Sequence, residues 1–181
     1  MKPVYKGLLL ALLHVLLVCT LGAKLLYDRS HRPHVWIKVA IYDPELPIRG
    51  RYLSLNLQVP AEGFSLRSQP SPYLKDKDGK PQMQEYSVPS RGNLVMRGGQ
   101  LIGVADGDGE YWVNVRRRDD GLVAIVRAET TYFLPEHGPD PSHRQAGEEL
   151  WIDATIPRKG PPRPIRLGIK KDGVLTPLPP D

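Results

Sequence analysis

Between Val35 and Leu175 the chain repeatedly alternates apolar and polar residues with a period of two, the pattern of strands that bury one face and wet the other. Val35, Ile37, Val39 and Ile41 line one face of a first predicted strand, with Trp36, Lys38, Ala40 and Tyr42 on the other. A proline-bracketed turn, Asp43-Pro44-Glu45-Leu46-Pro47, then leads through Arg49, Gly50 and Arg51 into a second strand from Tyr52 to Val59. There Leu53, Leu55, Leu57 and Val59 alternate with Ser54, Asn56 and Gln58. Pro60 to Pro89 reads as a long loop with room for a hairpin whose tip is Asp78-Gly79. Hairpins are predicted over Asn93–Ala105, around Gly98-Gly99, and over Glu110–Ala128, around Asp119-Asp120-Gly121. Glu129 to Glu136 continues as strand and stops at Pro135, and His137–Gly147 is a polar loop. Leu150–Ile156 alternates again, and Ile165–Leu175 closes with a hairpin at Asp172-Gly173. No stretch past residue 28 holds a helical period. The pattern therefore predicts an all-β domain, a barrel or sandwich of about seven to ten short antiparallel strands.

The first 28 residues follow a different rule. Gly7 to Ala23 is apolar but for His14 and Thr20, with Lys2 and Lys6 before it and Lys24 after. A run of about 17 residues is at the short end of what spans a bilayer as a helix. A signal-peptidase cut after Ala23 would leave Leu21 where a small residue is wanted, and Leu16-Leu17-Val18 does not prepare Cys19 for lipidation. The reading is an uncleaved transmembrane anchor over residues 1–28, with residues 7–23 in the lipid and a β domain over 29–181. Lys2, Lys6 and the amino terminus favour an inside N-terminus, a bias blunted by Lys24, Arg29 and Arg32. This expects a single pass of the inner (cytoplasmic) membrane and a domain that is periplasmic or extracellular. Asp28–His34 reads as a polar linker, and its His31 and His34 lack a fixed third ligand for a metal site.

Composition narrows the function classes. Nineteen prolines and seventeen glycines, with 7% aromatic residues, argue against a helical bundle. The net charge of +5 falls to +3 beyond position 28, with 22 basic against 19 acidic residues, and the run Arg116-Arg117-Arg118 is followed at once by Asp119-Asp120. No nucleic-acid partner is expected from so compensated a surface. Cys19, the only cysteine, sits in the apolar run, so the domain has no disulfide, thiol nucleophile or thiolate metal site. Asp106-Gly107-Asp108-Gly109-Glu110 lacks the remaining ligands of a calcium loop, and the carboxylate pairs Asp106/Asp108, Asp119/Asp120 and Glu148/Glu149 read as turn chemistry. Neither metal nor cofactor is expected.

The stretch from Asp43 through Arg49-Gly50-Arg51-Tyr52-Leu53-Ser54-Leu55-Asn56-Leu57 resembles the signature of the GDYXXLXY domain family, and Thr131-Tyr132-Phe133-Leu134-Pro135-Glu136 is similar to that family's second element. Gly50, Tyr52 and Leu55 match the name-giving positions, while Arg51 stands for the aspartate and Leu57 for the last tyrosine. A role resting on that aspartate's charge would here fall to Asp43 or Glu45. The resemblance implies a membrane-anchored, extracytoplasmic protein that accompanies other membrane proteins.

Two functional expectations follow. The first is a binding or assembly subunit that contacts an integral membrane protein through the anchor and through a polar cluster of Asp43, Glu45, Arg49, Gly50, Arg51 and Tyr52, joined by Tyr132 and Glu136 if the two motifs meet. Arginine's fork of donors suits such contacts. The second is a membrane-tethered Ser/Lys hydrolase like the type I signal peptidases, with Ser54 as nucleophile and Lys38 as the nearest strand lysine. No catalytic constellation is otherwise legible.

Overall fold

The computed structural model describes residues 3–42, 52–134, 141 and 144–179, apart from the side chains of Pro3, Arg29 and Glu129. One helix, α1 (Pro3–His31), is followed by eleven strands among the described residues: β1 (His34–Tyr42), β2 (Tyr52–Glu62), β3 (Arg67–Lys75), β4 (Pro81–Tyr86), β5 (Ser90–Arg97), β6 (Gln100–Ala105), β7 (Tyr111–Arg118), β8 (Gly121–Phe133), β9 (Glu149–Thr155), β10 (Arg163–Lys171) and β11 (Val174–Pro177). The all-β expectation holds.

The helix runs past the end of the apolar segment. Tyr27 stacks on His31 with ring centroids 4.1 Å apart, and Arg32 Nε donates to Asp28 Oδ1 at 3.2 Å. These pairs four residues apart carry the turns that hydropathy alone reads as linker, and Pro33 stops them. Val4–Asp28, 25 residues long, is apolar enough to cross a membrane and is wholly unburied by the rest of the chain.

Strands β2, β6, β5, β7 and β8 close into a five-stranded barrel through the β2–β8 pairing. Strands β1, β9, β10 and β11 extend the same sheet from β2. Strand β2 is the hub: it pairs antiparallel with β1 and with β8, then turns parallel beside β6 at Ala61↔Gly103. Its inward leucines Leu53, Leu55 and Leu57, with Val59, meet Val35, Ile37 and Val39 of β1, Val113 and Val115 of β7, Ala124 and Val126 of β8, and Leu150 and Ile152 of β9. That one buried cluster is the core. The turn before β7 lies so close to β5 that a Cβ on Gly109 would be 2.5 Å from the Gly92 backbone, and a Cβ on Gly92 would lie 2.7 Å from Val104 O.

Strands β3 and β4 form a separate two-stranded sheet with its turn at residues 76–80, where Asp76 Oδ1 accepts from the amides of Asp78 and Lys80. This hairpin occupies the stretch expected as a loop and raises the strand number above the seven to ten read from the sequence. It is fastened to the barrel by Arg117, whose guanidinium donates to both oxygens of Glu85 at 2.7 and 3.0 Å, and by Val115 N, which donates to Ser87 Oγ at 2.8 Å.

Candidate functional site

Strand pairing brings the two motif segments side by side. Tyr52 is opposite Phe133, Leu53 opposite Tyr132 and Ser54 opposite Thr131. Paired residues share a face and neighbours along a strand do not. Tyr132 therefore follows Leu53 inward and packs against the core, whereas Tyr52 follows Phe133 outward. The two tyrosines stand on opposite sides of the barrel wall and do not line one site. Asp43, Glu45, Arg49, Gly50, Arg51 and Glu136 lie outside the described residues.

What the motif strand offers on its outer face is aromatic. Tyr42 of β1 is opposite Ser54, which puts it on the side of Tyr52 and Phe133. Phe133 is 75% exposed and Tyr42 52% exposed. The guanidinium of Arg127 lies over the Tyr42 ring, 5.9 Å from its centroid. This patch continues along the wall into a groove of about 610 Å³ lined by Asn56, Leu66, Tyr86, Asn114, Arg116, Ile125 and Arg127, among others. Sequence marks Phe133 only as part of the second motif and gives no site role to Tyr42 or Arg127, because nothing local says that β8 closes on β2.

A second cleft, about 360 Å³, opens where β2 leaves β1 for β6 and is lined by Trp36, Lys38, Gln58, Glu149, Trp151 and Lys170, with neighbours. Its central charges satisfy one another. Lys38 is ion-paired with Glu149, Trp151 Nε1 donates to Glu149 Oε2 at 3.1 Å, and Lys170 lies 4.7 Å over the Trp151 ring. Burial alone would raise the Glu149 carboxyl, but hydrogen bonds from Lys38 and Trp151 and the charges of Lys38 and Lys170 outweigh it and leave it below its ordinary value. A network this complete stabilises the outer face of β1, β9 and β10 and leaves little for a ligand.

The geometry also bears on the hydrolase. Ser54 points outward on β2, while Lys38 sits opposite Gln58, four residues away along the strand, or about 13 Å. Lys38 faces Glu149, not Ser54. The two are not a dyad. Among the described residues no group of three or more His, Cys, Asp or Glu side chains converges to hold a metal. Asp106 instead caps its own turn, accepting from the Asp108 amide at 3.1 Å and from Asn93 Nδ2 at 2.7 Å.

The run Arg116-Arg117-Arg118 is not neutralised by Asp119-Asp120. Strand alternation parts the three: Arg117 goes to Glu85, Arg118 Nη2 donates to Gln58 Oε1 at 2.9 Å, and Arg116 lines the groove. The chain matches no protein-family model, no curated protein and no solved structure. Fold and site geometry thus carry the functional reading.

Proposed function

We propose that the chain is a membrane-anchored binding or assembly subunit whose β domain faces the periplasm or the cell exterior and whose partner is an integral membrane protein. The observation that carries this reading is the aromatic patch of exposed Tyr42 and Phe133 with half-buried Tyr52, set where the two motif segments pair on a domain tied directly to an apolar helix. Exposed aromatics clustered beside arginine are the composition of protein–protein contact sites. The resemblance to the GDYXXLXY family points the same way, with Arg49 and Arg51 just before Tyr52 in the sequence.

The experiment is a mild-detergent pull-down of the tagged full-length chain, with mass spectrometry of what accompanies it. A stoichiometric membrane protein, lost on Tyr52→Ala or Phe133→Ala and retained on Ser54→Ala, is the expected result. A partnerless monomer, or activity that disappears with Ser54→Ala, would overturn it.

A further inference from the structure

We propose that the groove on the outer wall of β7 and β8 binds an extended acidic peptide segment through Arg116 and Arg127. The inference rests on reading the chain as a binding subunit, and names the chemistry of what it binds.

The charges in the groove do not balance. It holds Arg116, Arg117 and Arg127 against Glu85, and Glu85 is fully taken by the two-toothed grip of Arg117. Neither Arg116 nor Arg127 is ion-paired with a carboxylate among the described residues. Both are exposed, so each presents its donors to whatever enters. This contrasts with the Trp36–Trp151 cleft, where Lys38 and Glu149 cancel.

Register sets the spacing. Arg116 is opposite Val123, and Arg127 lies four residues further along β8. At about 3.3 Å per residue the two guanidiniums are rooted roughly 13 Å apart, the distance between side chains four residues apart on an extended peptide. Between them Asn114 pairs with Ile125, and Asn56 of β2 borders the same groove. Neither asparagine side chain has a hydrogen-bond partner among the described residues. Their amides offer donors and acceptors that match a peptide backbone, and Ile125 with Leu66 gives an apolar floor for one side chain between the acids. A compact anion could meet one arginine only. The pairing of two forks with two amides selects an extended segment with carboxylates at its first and fifth positions.

The test measures fluorescence anisotropy of fluorescein-labelled Ser-Glu-Ser-Val-Ser-Glu-Ser with the full-length chain in detergent micelles. A peptide of the same composition with its glutamates adjacent, Ser-Glu-Glu-Ser-Val-Ser-Ser, is the comparison. The spaced peptide should bind about tenfold more tightly, and Arg116→Gln or Arg127→Gln should each weaken it by about tenfold. Arg116→Lys should recover only part of the loss, since a lysine lacks the fork. Unchanged thermal unfolding of these surface variants shows that they remain folded. Equal binding of the two peptides, or no response to either glutamine variant, overturns the inference. So does displacement by tripolyphosphate at concentrations below the peptide's own, which would assign the groove to a phosphate ligand. Peptide binding without a membrane partner in the pull-down would refute the assembly reading alone, and an unsubstituted chain that retains its membrane partner but does not prefer the spaced peptide would refute the groove alone.

Discussion

Leu57 is the residue at which the GDYXXLXY signature that this chain resembles would place a tyrosine. It is fully buried, in register with Val39 of β1 on one side and Val126 of β8 on the other. Both neighbours are held by strand ladders, so a hole made there cannot collapse. Leu57→Ala should therefore cost about 3 kcal/mol, inside the range of about 2–5 kcal/mol for such truncations. For a domain of this size that is a fall of roughly 6–12 °C in the unfolding midpoint. Leu57→Tyr, which introduces the residue that the resembled signature carries, should also destabilise. Overpacking costs about 1–3 kcal/mol and a hydroxyl without a partner about as much again. The neighbouring Asn56→Ala faces outward and should stay within about 0.5 kcal/mol. Tryptophan fluorescence of the full-length chain in detergent during thermal unfolding reads all three variants. A neutral or stabilising Leu57→Tyr would mean that the core has room at this point, and the β1–β2–β8 register described above would fall with it.

Four further outcomes follow from the same structure. Gly109→Ala drives a Cβ to within 2.5 Å of the Gly92 backbone and should destabilise by at least about 1–3 kcal/mol, measured as a lower denaturation midpoint. The Glu85 carboxyl is held below its ordinary value of 4.5 by the hydrogen bond from Arg117, so the clamp on the β3–β4 hairpin is present at neutral pH and is lost as pH falls through the lowered value. Hydrogen exchange in β3 and β4 should rise there, and Arg117→Gln should reproduce the rise at pH 7. Burial, aided by Glu110, pushes Tyr111 up to about 12 from 10.0, so its ionisation by ultraviolet titration should lag behind the exposed tyrosines. Stability from the neutral phenol is complete below about pH 10 and is lost as pH rises through about 12. Gly168→Ala brings a Cβ within 2.8 Å of the Trp36 ring and should shift that indole's emission without unfolding the barrel.

The strands that face the core on one side were legible because burial imposes a period of two. Strand β2 shows it fully, with Leu53, Leu55, Leu57 and Val59 buried and the residues between them half-exposed. Turn chemistry was legible for the same local reason: Gly98-Gly99 and Asp172-Gly173 both adopt positive φ, as tight hairpins require. The β3–β4 hairpin was legible only at its Asp78-Gly79 tip, within a stretch read otherwise as loop. Of its β3 residues only Ser71 is buried, and its tip is organised by Asp76 accepting backbone amides. A hairpin held to the barrel by polar contacts rather than by a buried apolar face has no hydrophobic period to read. Barrel closure was hidden for another reason, since β2 and β8 are about seventy residues apart and nothing local marks their pairing. That closure decides which motif residues meet, so it also decided that Tyr52 would find Phe133 and that Tyr132 would be lost to the core. The arginine run misled because charge was summed along the chain, while a strand distributes neighbours to opposite faces.

The junction between helix and domain explains how such a patch would be used. Asp28, in the last turn of α1, accepts from Arg32 and lies 3.7 Å from Arg163 at the start of β10, while Ile156 N donates to Pro33 O at 3.1 Å. A carboxylate near a helix C-terminus is opposed by the macrodipole, and the two arginines offset that cost. The helix is thus tied to the β9–β10 end of the sheet rather than joined through a free linker. From that end β1 runs nine residues to Tyr42, about 26 Å at strand rise. The aromatic patch therefore sits at the far end of β1 from the helix. A partner that grips both the helix and the patch must itself extend well beyond the bilayer, whereas one confined to the membrane would reach the helix alone. If the partner is the integral membrane protein proposed above, it is one with an extramembrane part large enough to lie along the barrel wall.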